Sequence, residues 1–211
     1  MEEKKRELIR NLIAEGYIKR KEVAEAMMKV PRELFVPEEL RHMAYEDTPL
    51  PIGAGQTISA PHMVAYMVEA AELRRGDKVL EVGTGSGYHA AVMAELVGPE
   101  GHVYTIERIP ELAERARERL KALGYNNVTV LVGDGSKGYP PAAPYDKIIV
   151  TAAAKRVPEA LLKQLKVGGI MVIPVEEEPG YQVLYKIIKT PEGYVIKKLL
   201  PVAFVPLIEE E

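Results

Sequence analysis

A doubly wound α/β fold with a mostly parallel sheet and helices on both faces is predicted by three observations in this sequence. Short apolar runs with strand character alternate with helical segments through the middle of the chain. One of them, Lys78-Val-Leu-Glu-Val82, passes straight into glycines at positions 83, 85 and 87. The runs that follow end in an acid or a glycine turn, at the strand ends where open α/β sheets bind their ligands. A chain of 211 residues is long enough for one such domain with additions at both ends. Its expected parts are an N-terminal helical cap and loop (1–60), a binding core (61–175) and a C-terminal β-rich segment (176–211).

In chain order, Arg6 to Glu15 places Leu8, Ile9, Leu12 and Ile13 on one stripe of an amphipathic helix, and Val23 to Met28 reads as a second short one. Between Val30 and Met63 proline and glycine are dense, so extended loops are expected, and their apolar content favours function over disorder. A helix begins near Pro61, because proline suits a first turn. The strand before the glycines comes next, with a helix after them. Val103–Glu107, Val128–Val132, Tyr145–Val150 and Gly168–Ile173 read as four more strands, with a helix over Val157–Leu165. Tyr181–Ile188 and Tyr194–Leu200 form a β-hairpin about Lys189-Thr-Pro-Glu-Gly193, and Glu209-Glu-Glu211 reads as a frayed, solvated end.

The glycine turn carries chemistry. Backbone without Cβ atoms lets a ligand approach closely, and the following helix points free N–H groups at it, which makes a nucleotide-type pocket. A dinucleotide fingerprint would need Gly or Ala at position 88, where this chain has Tyr88. Glu107 ends its strand 24 residues after Gly83, where doubly wound folds place a carboxylate for ribose hydroxyls. Asp134 lies in the turn Gly133-Asp-Gly135. Taken singly, the turn is an ordinary strand-to-helix connection, Glu107 a solvated strand end and Asp134 a turn residue. All three falling at carboxyl ends of strands is what points to a site.

Composition excludes several classes. No cysteine is present, so disulfides, thiolate catalysis and Cys-based zinc sites are ruled out. Net charge is −3 with a pI near 5.9, which argues against a broad nucleic-acid footprint. The basic residues of the first 32 positions alternate with glutamates, as on a salt-bridged helix surface. His42, His62, His89 and His102 lack metal-site spacing, so no metal is expected. A charged N-terminus and the lack of a membrane-length apolar run point to a cytoplasmic protein, and no heptad run points to a monomer. Scarce Asn and Gln, with 28% charged residues, lean toward a thermophilic source.

The form Glu81-x-Gly83-x-Gly85-x-Gly87 resembles motif I of the class I S-adenosylmethionine-dependent methyltransferases, whose fold is Rossmann-like. Pro31-Arg-Glu-Leu-Phe-Val-Pro37 and Gly53-Ala-Gly-Gln-Thr-Ile-Ser-Ala-Pro61 narrow this further. They resemble hallmark segments of the protein-L-isoaspartate (D-aspartate) O-methyltransferases, and the likeness continues through Glu107-Arg108, Gly133-Asp-Gly135, Tyr145 to Ala153 and Phe204-Val-Pro-Leu207. The resemblance implies methyl transfer from S-adenosylmethionine, leaving S-adenosylhomocysteine, to the free carboxylate of isoaspartyl residues in damaged proteins and peptides. The ester would then collapse to a succinimide and return part of the material to aspartate. It further implies cofactor contacts at Thr57, Ile58, Glu81, Gly83, Thr84, Gly85, Ser86, Gly87, Glu107, Arg108, Asp134 and Gly135. Substrate contacts would fall at Ile58, Ser59, Ala60 and Val205, with Ser59 at the family's active-site serine.

That chemistry suits these residues. A carboxylate is already ionised near neutrality and needs no general base, so catalysis reduces to alignment and exclusion of water. The Ser59 hydroxyl can donate to it, although a serine ahead of a first-turn proline is also an ordinary helix start. Motif I alone leaves two competing readings: methylation of a small molecule or RNA, and a non-catalytic nucleotide-binding or interaction module.

Overall fold

The computed structural model describes residues 1–210. A seven-stranded sheet runs through it in the order β5-β4-β3-β6-β7-β8-β9, formed by Lys78–Val82 (β3), His102–Glu107 (β4), Val128–Val132 (β5), Tyr145–Val150 (β6), Leu165–Glu178 (β7), Tyr181–Thr190 (β8) and Gly193–Val202 (β9). β5, β4, β3, β6 and β7 pair in parallel, whereas β8 and β9 add antiparallel strands at one side. A separate two-stranded hairpin joins Leu50–Gly53 (β1) to Gln56–Ile58 (β2).

Both faces of the central strands are buried, which is why they read as continuous apolar runs rather than alternating ones. Val79, Val103, Val130, Ile149 and Val172 enter one apolar cluster, while Leu80, Val82, Ile106, Ile148 and Ile173 enter the other. The first cluster is covered by Pro61–Ala71 (α3), Tyr88–Val97 (α4) and Pro110–Ala122 (α5). Glu159–Gln164 (α6) sends Leu161 into the second.

The N-terminal helices, Glu2–Ala14 (α1) and Lys21–Lys29 (α2), join the first cluster through Leu8, Ile9, Leu12, Val23 and Met27. Ile13, expected on the same stripe, is 49% exposed. Each residue turns about 100° from its predecessor, so the face that buries Leu12 carries Ile13 outward. Outward-facing charges on these helices pair with each other, as in Arg10–Glu3 and Lys21–Glu25.

The 30–63 stretch is more regular than expected. It contains 3₁₀ turns at Arg32–Phe35 and Glu38–Met43 before the β1–β2 hairpin, whose register pairs Leu50 with Ile58 and Pro51 with Thr57. Buried Phe35, Ala44, Tyr45, Leu50, Ile52 and Ile58 explain why this proline- and glycine-rich segment is ordered. At the other end the Glu210 N–H donates to Asp134 Oδ2 at 2.8 Å, so this part of the tail is tied down rather than frayed; Glu211 lies outside the described residues.

Candidate active site

β3 lies at the centre of the five parallel strands, with β4 on one side and β6 on the other. The connections from β3 to β4 and from β5 to β6 therefore leave in opposite directions, which opens a crevice at the strand ends. A cavity of about 540 Å³ occupies it, a volume suited to a small organic ligand.

The glycine turn forms one wall. Gly83 has φ +100°, and a Cβ there would stand 2.5 Å from Thr151 Oγ1. That hydroxyl donates to the Gly83 carbonyl at 2.8 Å, and the Gly83 N–H donates to the Ile106 carbonyl at 2.8 Å, so the turn is pinned to both neighbouring strands. Glu107 is buried at the end of β4. Its Oε1 accepts from the Gly85 N–H at 2.9 Å and its Oε2 from the Ile109 N–H at 3.0 Å. Each carboxylate oxygen keeps capacity for a further donor.

Beside Glu107 lies a second, deeper acid. The register that sets Glu81 opposite Thr105 puts both on the α4 side of the sheet, where Thr105 Oγ1 donates to Glu81 Oε1 at 2.6 Å. Glu81 Oε2 has no hydrogen-bond partner, nor does Nε2 of the adjacent His89, and the two side chains approach only to 3.8 Å. Both residues border the cavity. Burial pushes the Glu81 carboxyl up to about 8 and pulls the His89 imidazole down to about 4, so the pair is neutral over the interval between.

This pair makes stability depend on pH in a defined way. From Glu81, the folded state binds the extra proton between its unfolded value of 4.5 and about 8, so stability falls as pH rises there. From His89, the unfolded state binds the extra proton between about 4 and 6.5, so stability rises there. The two oppose each other below 6.5, leaving a decline from 6.5 to 8 of roughly 1 kcal/mol per pH unit. Denaturant melts across this range should show that decline in the ligand-free wild type and lose it in Glu81→Gln.

The opposite wall comes from the β1–β2 hairpin and the loop after it. Thr57, Ile58, Ser59 and Ala60 line the cavity, with Ser59 half-buried. The N-cap of α3 is Ala60, with no side-chain cap bond, so Ser59 is not spent as the helix cap. Its carbonyl accepts from Arg32 Nη2 at 3.0 Å. The last wall is the segment after β9, held over β6 by the Ala153 N–H on the Val205 carbonyl and the Leu207 N–H on the Ala153 carbonyl, both 2.7 Å.

Of the residues expected from sequence, Thr57, Ile58, Ser59, Ala60, Glu81, Gly83, Thr84, Gly85, Ser86, Glu107, Arg108, Gly135 and Val205 meet at this one cavity. Gly87 and Asp134 do not line it. Gly87 packs under α5, where a Cβ would sit 3.3 Å from Ala116 and 3.4 Å from Leu120, so its smallness serves helix packing. The Asp134 carboxylate turns away to accept from the N–H and hydroxyl of Ser136 and from the Glu210 N–H. Sequence reasoning missed Thr151 and His89. Thr151 follows an unbroken strand and carries no motif of its own, whereas His89 sits two residues past the glycines and was readable from that position. No cluster of metal-binding side chains occurs among the described residues.

Comparison with known proteins agrees with this fold. The family profile for protein-L-isoaspartate(D-aspartate) O-methyltransferase matches residues 3–211. A protein-L-isoaspartate O-methyltransferase of Hyperthermus butylicus is 61% identical over 99% of this chain and 90% of its own. One from Methanopyrus kandleri is 62% identical over 97% and 91% respectively. Among solved structures, a protein-L-isoaspartate O-methyltransferase superposes with TM-score 0.88 at 33% identity, covering 98% of this chain and 65% of that one. A Plasmodium falciparum counterpart in complex with S-adenosyl-L-homocysteine gives 0.87 at 31%, covering 98% and 99%.

Proposed function

The chain belongs to the protein-L-isoaspartate(D-aspartate) O-methyltransferase family, and from that premise we propose how its own residues serve the reaction. The activity is S-adenosylmethionine-dependent methylation of isoaspartyl residues in damaged proteins, a repair step. One observation carries the residue assignment: the Ser59 loop and the Glu81–Gly83–Glu107 wall face the same cavity. The cavity suits the cofactor, for it offers backbone without Cβ at the turn, an unpartnered Glu81 Oε2 and a buried carboxylate at Glu107.

When bound, S-adenosylmethionine supplies a methyl group on a positively charged sulfur. Glu107 would take the ribose hydroxyls and Glu81 would serve the cationic part, while Thr57, Ile58, Thr84, Ser86, Arg108 and Gly135 would enclose the rest. Ser59 donates its hydroxyl to the isoaspartyl carboxylate, while Ile58, Ala60 and Val205 flank the peptide and keep water out. D-aspartyl residues, which also present a displaced carboxylate, fall within the same reading, as does later collapse of the ester to a succinimide. The reading extends to a monomer acting on proteins in the cytoplasm. Net charge of −3 supplies no nucleic-acid footprint, and no helix among the described residues is long and apolar enough to cross a membrane.

Radiolabel transfer from S-adenosylmethionine to paired peptides differing only in an Asp or isoAsp linkage tests this reading. Label in the isoAsp member alone is expected; label in neither, or in both, overturns it. The lack of a general base has its own test. His62 borders the cavity with Nδ1 2.9 Å from Asp47 Oδ1, and, three residues after Ser59, it is the alternative base for a substrate whose proton must be removed. With both substrates saturating, kcat should be nearly flat from about pH 6 to 8, because a carboxylate nucleophile titrates near 4. A limb rising about tenfold per pH unit that disappears in His62→Ala would instead assign His62 as base.

A further inference from the structure

The Pro31-Arg-Glu-Leu-Phe segment has no place in the mechanism above, yet it contains the chain's most unusual charge. Arg32 is 0% exposed, and among the described residues no carboxylate pairs with it. Its Nε donates to the Ala44 carbonyl at 2.8 Å and its Nη2 to the Ser59 carbonyl at 3.0 Å, while Nη1 has no acceptor. The guanidinium lies over the Tyr88 ring, 4.8 Å from its centre. Tyr88 also meets Phe35 edge-on at 5.7 Å, and Arg119, 5.6 Å from the centre of the Phe35 ring, sends Nη1 to the Ser86 carbonyl at 2.9 Å.

An unpaired buried cation is a costly way to fill space, and an apolar residue of similar volume would stabilise the fold better. What an apolar residue cannot do is hold two carbonyls in a fixed fork while stacking on an aromatic ring. The groups held are telling. One is the carbonyl of Ser59 in the substrate loop, and the ring belongs to the residue directly after the glycine turn. Arg32 is thus a mechanical link between the two walls of the cavity.

We propose that Arg32 is a positioning residue for methyl transfer: it acts through Ser59, fixing the distance between the loop that holds the carboxylate and the turn that holds the cofactor. The inference rests on the role given to Ser59. A misplacement of about 1 Å costs in-line transfer roughly a hundredfold, so the effect falls on turnover rather than on cofactor affinity.

The test is a double-mutant cycle of Arg32→Lys and Ser59→Ala in the full chain. It follows kcat and KM for an isoaspartyl peptide, S-adenosylmethionine affinity by calorimetry, peptide affinity in the presence of S-adenosylhomocysteine, and melting temperature. Arg32→Lys keeps the charge but loses the fork, and should lower kcat by about tenfold or more while cofactor affinity stays within about twofold. In the Ser59→Ala background the same change should cost less than about threefold, because Arg32 still holds the carbonyl but the hydroxyl it positions is gone. Equal losses in both backgrounds, or cofactor affinity falling in step with kcat, would reduce Arg32 to a structural residue. Arg32→Met removes the charge as well, and if it folds its loss should exceed that of lysine; recovery to wild-type turnover would overturn the proposal. If wild type fails to methylate the isoaspartyl peptide, the functional reading fails; if wild type is active and Arg32→Lys matches it, only this inference does.

Discussion

Glu107→Ala is expected to weaken S-adenosylmethionine binding by roughly 2–4 kcal/mol, the scale for two hydrogen bonds to a buried charged acceptor. That is about 30-fold to 1,000-fold in dissociation constant. Two effects combine. The ribose hydroxyls lose their acceptor, and the Gly85 and Ile109 N–H groups, now held at 2.9 and 3.0 Å, lose theirs, so the glycine turn is less firmly preset for the ligand. Calorimetric titration of the folded variant measures the loss. Unchanged affinity would remove Glu107 from the cofactor site.

Ser59→Ala is expected to lower kcat/KM for isoaspartyl peptide by roughly one to three powers of ten while cofactor affinity stays near wild type. The separation follows from geometry. Ser59 lies on the loop wall, whereas the two buried acids lie on the strand-end wall, and the serine is not the cap of α3, so its loss does not unwind the helix. Steady-state kinetics and titration on one preparation decide the matter. Wild-type turnover in the variant would leave Ser59 as a loop residue only.

The sheet and its glycine turn were legible because both faces of the central strands are buried, which writes unbroken apolar runs into the chain. Glu81 and Glu107 were legible from position alone, since a strand end in a parallel sheet is a ligand site whatever the ligand. Asp134 was legible as a turn residue, since Asp between two glycines signals a turn, and its carboxylate caps Ser136 and holds Glu210 outside the cavity lining. α5 was passed over, although Pro110 opens it and Leu112, Ala113, Ala116 and Leu120 recur at helical spacing. The β1–β2 hairpin was read as loop because strands of four and three residues with Pro51 and Gly53 inside carry almost no periodic signal. Contacts such as Thr151 on Gly83, or Arg32 on Ser59, join residues distant in sequence, and no local pattern announces them.

The segment 201–208, Pro-Val-Ala-Phe-Val-Pro-Leu-Ile, and the loop 56–60, Gln-Thr-Ile-Ser-Ala, together face the cavity without a single ionisable side chain. Damage of this kind arises wherever a labile asparagine or aspartate happens to lie, so a repair enzyme meets neighbours of every charge. Walls that are neutral cannot repel an acidic neighbour or prefer a basic one, because discrimination by charge needs a fixed charge to oppose. Any preference for a charged neighbour must then come from His62 or Arg108, which border the same cavity outside these two segments.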